Sequence, residues 1–241
     1  MHTMMANMAN PDSASPATGA GSPGGRAPRA RRVRAYVGLG ANLGDAATIL
    51  AAGIRALAAL PGMRLRGVSR LYATAPWGMT DQPEFRNAVV ALEVPVAADD
   101  RTAALGLLAA LKSIERAFGR HERERWGPRE LDLDLLAFGR ARFSIDRPAD
   151  ARSNDPTKAD LPLIVPHPEA RNRLFVLAPL ADLAPRLVPP GWGETVETAR
   201  RRQLAAEGVE AVRPVAQWVD RGYRSDGQGG DWHPLTERGR A

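Results

Sequence analysis

Residues 125–136 read RWGPRELDLDLL. The second half, Leu131-Asp132-Leu133-Asp134-Leu135, alternates apolar and acidic residues. That is the period of a β-strand, in which every second side chain shares a face. Such a strand buries its leucines and points Asp132 and Asp134 the same way, about 7 Å apart at Cα for a rise of about 3.3 Å per residue. Two carboxylates so placed repel each other unless a cation lies between them. Hard oxygen ligands on one rigid face suit Mg²⁺, which takes one or two carboxylates and completes its shell with water and substrate phosphates. Arg125 and Arg129, just upstream, carry the planar fork that grips phosphate oxygens. The local chemistry is therefore Mg²⁺-dependent and acts on a polyphosphate. An isolated Asp-x-Asp on the solvent face of a strand usually does nothing, and an arginine beside it can be a surface ion pair worth little. The turn-forming Gly127-Pro128 within the motif weighs against that bland reading.

Outward from this strand, the chain divides by composition. Its 241 residues suffice for one good-sized domain with extensions, and 44% of them are hydrophobic, as in an ordinary globular protein. No apolar run is long enough to cross a bilayer. The N-terminus, MHTMMANMANPDSASPATGAG, lacks the basic and apolar regions of a signal peptide. With no cysteine there is neither disulfide nor thiolate metal site, which fits a cytoplasmic protein. The formal charge is +6. Much of it lies in Arg26, Arg29, Arg31, Arg32 and Arg34, which face only Asp12 among residues 1–34. A basic arm on a near-neutral body is a solvated tail more often than a binding surface, so no nucleic-acid partner and no membrane are expected.

Residues 1–32, rich in Ser, Pro, Gly and Ala, are expected to be a disordered basic tail, with order beginning at Val33. Strands are predicted over 33–39, 64–74, 86–95 and 131–136. Ile49, Leu50, Ile54, Leu57 and Leu60 predict a helix over 46–60, and Leu105, Leu108, Leu111, Ile114 and Phe118 another over 100–118. Between them lie a Pro/Gly-dense loop, 75–85, and a basic loop, 119–129. Residues 147–160 read as a polar loop, 174–183 as a short core helix, and 191–219 as an extension with a helix near 194–206. From 220 the chain reads as a flexible tail. The order β-α-β-β-α-β implies an α+β, ferredoxin-like split βαβ fold: an antiparallel sheet with helices packed on it, plus extra C-terminal elements.

Four segments together resemble the 6-hydroxymethyl-7,8-dihydropterin pyrophosphokinases of folate biosynthesis: YVGLGANLGD (36–45), YATAPWGMTDQPEFRNAVVALE (72–93), GRHERERWGPRELDLDLLAFG (119–139) and VPHPEARNRLFVLAPLADLAP (165–185). They occur in the family's order and near its spacing, so the pyrophosphokinase domain is placed at 33–190. The resemblance implies a ferredoxin-like fold and transfer of the β,γ-pyrophosphate of ATP to the hydroxymethyl group of the pterin, releasing AMP. It implies two Mg²⁺ ions on Asp132 and Asp134, which with Arg120 and Arg129 make the catalytic set. It further implies nucleotide contacts from Glu115, Arg120, Arg125, Trp126, Arg129, Leu135, His167 and Arg173. Pterin contacts fall on Thr74, Ala75, Trp77, Phe85, Asn87, Trp126 and Phe175. A flat heterocycle wants aromatic faces and an amide at its edge, roles that Phe85, Phe175 and Asn87 could fill. For Phe85 and Phe175 taken alone, core packing is the commoner role. Where some relatives carry a basic residue and a threonine before the VPH turn, this chain has Pro162 and Ile164. The partners expected are ATP and a reduced pterin, the state a monomer, and loops 75–85 and 119–129 are expected to close over bound ATP. A ferredoxin-like RNA-binding module is the competing class, but it needs aromatics and basic residues on the strands, where this chain puts acids.

Overall fold

Val33, Ala35, Val37, Leu39 and Ala41 alternate with less buried residues along β1 (Arg31–Ala41). This is the pattern that makes a segment a strand with one apolar face. The structure, a computed structural model, describes residues 31–76, 81–119, 130–152, 161–220 and 229–236. α1 (Ala46–Ala59) starts where the Asp45 side chain accepts a hydrogen bond from the Thr48 N–H. β2 (Arg64–Val68) and β3 (Leu71–Thr74) follow, then β4 (Phe85–Val96). α2 (Asp100–Ala117) is capped by Asp99, which accepts from the Arg101 and Thr102 N–H groups. β5 (Asp132–Phe138) completes the split βαβ unit, in which β2 and β3, both paired to β4, take the place of one strand.

The sheet order is β5-β1-β4-β3-β8-β9, with β2 also paired to β4 and every pairing antiparallel. Its first part is the ferredoxin-like arrangement that the element order implies. One face carries α1 and α2 over the main core, which includes Leu39, Leu50, Ile54, Leu92, Leu111, Leu133 and Phe138. The other face packs Val89 and Leu136 against α3 (Leu174–Leu183) and α4 (Val196–Glu207) through Leu177, Leu180, Val196 and Ala199. A small sheet of β6 (Phe143–Ile145) and β7 (Leu163–Val165) lies apart from the main one.

The elements differ from the sequence expectation in several places. β1 begins two residues before Val33: Arg31 and Arg32 pair with Val96 and Pro95, and the Arg31 guanidinium reaches Asp100 at 2.7 Å. The strand expected over 64–74 breaks at Ser69, whose Oγ accepts from the Val89 N–H at 2.9 Å and donates to the Arg70 carbonyl. A side chain there occupies a place in the ladder. Beyond the expected helix of the extension comes an unexpected strand, β8 (Val212–Val219), whose Pro214 hid it from pattern reading. Its partner β9 covers only Ala216–Val219, so Pro214 has a strand on one side alone. The expectation of a flexible tail from 220 is corrected at β9 (Asp231–Pro234). Trp232 meets Trp218 edge to face, with centroids 5.0 Å apart at 77°, and this pairing orders a segment whose own sequence has no period. Of the expected polar loop at 147–160, the described part includes a 3₁₀ turn at Ala149–Ala151, and Ala151 is buried in the main core.

Candidate active site

In β5, Leu133 and Leu135 are buried in the core under α1 and α2, while Asp132 and Asp134 are half-buried on the opposite face. The register then sets what lies beside them. Asp132 pairs with Gly40, Gly40 with Asn87, and Asn87 with Tyr72. One row on, Asp134 pairs with Gly38 and Gly38 with Val89. Directly opposed residues share a face. The two carboxylates therefore look across two bare glycines toward Asn87, about 10 Å away at the usual strand spacing. A Cβ on Gly40 would lie 3.2 Å from Asn87 Oδ1, and one on Gly38 would meet Leu136 at 3.5 Å. These glycines clear a shelf next to the acids. Paired oxygen donors beside open space fit a hard divalent cation that keeps part of its shell for water and phosphate.

The residues expected to hold the pterin fall on the same face. Phe85 and Asn87 alternate with Arg86, and Thr74 pairs with Phe85. Asn87 and Thr74 are buried and joined, Asn87 Nδ2 donating to Thr74 Oγ1 at 2.9 Å. Phe85 is half-buried and belongs to none of the three apolar clusters, so core packing does not account for its ring. Phe175 packs against the small cluster of Tyr72, Leu174, Ala178 and Val212, with the Arg173 guanidinium 5.9 Å over its ring. Ala75 is exposed at the end of β3. Asn42, buried after β1, donates to Gln82 Oε1 at 3.0 Å and to the Pro83 carbonyl at 3.2 Å, tying the end of the 75–85 loop to the strand that carries the glycines.

Two side chains, His167 and Arg147, lie within electrostatic reach of Asp134. The His167 N–H donates to the Leu136 carbonyl at 2.9 Å, docking the VPHP turn on β5. His167 Nδ1 accepts from the Glu169 N–H at 3.2 Å, so the neutral ring carries its proton on Nε2. Burial pushes this imidazole below its ordinary pKa; Asp134 opposes that shift and Arg173 adds to it. Arg173 itself lies 3.8 Å from Glu169. Arg147, after β6, donates to the Pro162 carbonyl at 3.3 Å, and its buried Nε has no partner among the described residues. Burial lowers its pKa, against the pull of Asp134 and Glu115.

Two expected nucleotide contacts, Leu135 and Glu115, are buried. The Leu135 side chain is in the main core, which leaves only its backbone for a ligand. Glu115 is 1% exposed and held by Lys112 Nζ at 2.8 Å and the Leu133 N–H at 2.7 Å, on the helix side of β5. A carboxylate so placed holds the Leu133 peptide of the strand that carries the two acids. Arg120, Arg125, Trp126, Arg129 and Trp77 lie outside the described residues. Sequence reasoning missed Gly38, Gly40, Asn42, Lys112 and Arg147. The alternating Gly38-Leu39-Gly40 in a strand was a usable signal, since it bares one face twice. So was Lys112, a charge at i−3 from Glu115 amid an apolar stripe. Arg147 had none.

A family model described as 7,8-dihydro-6-hydroxymethylpterin-pyrophosphokinase (HPPK) matches residues 36–185. The chain is 43% identical over 179 residues to the 2-amino-4-hydroxy-6-hydroxymethyldihydropteridine pyrophosphokinase of Methylorubrum extorquens, covering 74% of this chain and 98% of the relative. To the protein of the same name from Pseudomonas aeruginosa it is 43% identical over 182 residues, covering 74% and 96%. Among solved structures it is similar to wild-type Plasmodium falciparum HPPK-DHPS crystallised with pteroate, with a TM-score of 0.61 at 14% identity over 86% of this chain. That likeness bears on the fold alone, and the chain spans about half the length of that protein, 48%.

Proposed function

The chain belongs to the 7,8-dihydro-6-hydroxymethylpterin-pyrophosphokinase family and has a pyrophosphokinase activity of folate biosynthesis; from that premise we propose that this face of the sheet binds Mg²⁺·ATP beside a reduced pterin. The product would be the pterin diphosphate, with AMP released. The observation that carries the reading is the register: Thr74, Phe85 and Asn87 share one face with Asp132 and Asp134 across a shelf kept open by Gly38 and Gly40.

In this reading Asp132 and Asp134 would hold two divalent cations, which would supply neutralisation of phosphate charge. Asn87, fixed by Thr74, meets the polar edge of the pterin, and Phe85 and Phe175 offer faces to its rings. His167 Nε2–H and Arg173 serve the nucleotide, and Arg147 adds a cation that the sequence did not single out. Arg120, Arg125 and Arg129 are assigned to phosphates, and Trp77, Ala75 and Trp126 to the substrates, on the resemblance of their segments. The protein works as a cytoplasmic monomer, which gel filtration of the full chain tests as to oligomeric state.

The deciding experiment follows AMP formation from ATP, with and without 6-hydroxymethyl-7,8-dihydropterin, at varied Mg²⁺. AMP should appear only when pterin and Mg²⁺ are both present. AMP release that ignores the pterin, or persists undiminished in excess EDTA, would contradict the assignment.

A further inference from the structure

Leu133 lies between the two acids, and both of its peptide groups face away from the sheet. Its N–H donates to Glu115 Oε1 at 2.7 Å, and its carbonyl accepts from Lys112 Nζ at 3.2 Å. Among the described residues β5 is an edge strand. In an antiparallel ladder alternate residues turn their N–H and C=O outward, so an edge leaves every second pair without a strand to bond. Asp132 and Asp134 turn theirs toward β1; Leu133 does not. Two side chains from α2 stand in for the absent neighbour. They are paired with each other at 2.8 Å and are 5% and 1% exposed. A buried ion pair is a weak device for stability, since apolar residues of the same volume often do as well. Its distinctive property is directional: three hydrogen bonds fix where this edge lies.

We infer that Lys112 and Glu115 are a positioning pair that fixes the edge of β5, so that Asp132 and Asp134 present their carboxylates to the divalent cations at one set depth. This rests on the assignment of the two acids above. Glu115 then acts on the metal site through Leu133.

The variant K112M/E115M keeps side-chain volume and removes both charges of the pair, but it strips both Leu133 peptide groups of their partners. Two measurements follow: amide exchange at Leu133, with Leu39 as the reference in β1, and calorimetric titration of a non-hydrolysable ATP analogue at a series of Mg²⁺ concentrations. Leu133 should exchange faster. The Mg²⁺ needed for half-maximal analogue binding should rise about tenfold, the lower end of what losing an orienting partner costs a metal site. Analogue affinity at saturating Mg²⁺ should be unchanged. A folded variant with the wild-type Mg²⁺ requirement overturns the inference. So does a loss of affinity that is equal at every Mg²⁺ concentration, which would make Glu115 a nucleotide contact. Should K112M/E115M fail to fold, K112M/E115Q decides: it keeps an acceptor for the Leu133 N–H and removes only the carbonyl's partner. A smaller rise in the Mg²⁺ requirement supports the inference, and no rise overturns it. Wild-type protein that binds the analogue without regard to Mg²⁺ would remove the assignment of Asp132 and Asp134, and the positioning role with it, even if Leu133 exchange quickens in the variant.

Discussion

Among the described residues, Asp132 and Asp134 are the acids that pair with glycines of β1. Their proposed work is to seat cations that offset several kcal/mol of charge in the transition state. Asp132→Ala and Asp134→Ala should each lower kcat/KM by about two to three orders of magnitude, with a Tm close to wild type. A variant of either acid that turns over normally would show that the cations sit elsewhere. At His167 the physics concerns a proton. Burial holds its folded pKa below the ordinary value of 6.5, so between the folded value and 6.5 the unfolded chain binds more protons. Stability should therefore rise with pH through that window, and fall on acidification from about 6.5 until the folded imidazole is itself protonated. His167→Asn should flatten the dependence of Tm on pH over this window. An unchanged slope would mean that other groups carry it.

Among elements, β9 matters most for how this chain ends. A strand of four residues, it covers half of β8 and brings Trp232 onto Trp218. Ending the chain after Asp220 would uncover a sheet edge and half of an aromatic pair. That should cost about 2 kcal/mol and lower Tm by about 4–8 °C in a chain of this size, with increased self-association through the bare edge. Differential scanning calorimetry and light scattering on the truncated protein check this; a Tm within about 1 °C of the full chain would show that β9 contributes little. The same edge logic explains why β5 needs α2. Where β8 is covered by a strand, β5 is covered by Lys112 and Glu115, and that difference leaves the acid-bearing side free of another strand.

At the scale of the molecule, the ferredoxin-like unit is a plate with helices on both faces, and the candidate site lies on the face that also carries α3 and α4. Since β1 begins at Arg31, deleting residues 1–30 should leave pterin-dependent AMP formation unchanged within experimental error; a large drop in kcat would give the arm a part in the reaction. The split βαβ order, the helices α1 and α2, and the shared face of Asp132 and Asp134 were legible in the chain. They depend on periodicity, and periodicity is a local property that each segment states by itself. Motif resemblance likewise gave the family, because the segments that carry it are short and contiguous. The alignment of Asn87, Gly40 and Asp132 in one row, the enclosure of Glu115 by Lys112 and Leu133, the approach of Arg147 to Asp134, and the strand at Asp231–Pro234 came only with the tertiary structure. Each depends on which strands are neighbours and in what register. Those choices are made by the packing of the whole core, where segments far apart in sequence compete to bury the same surface.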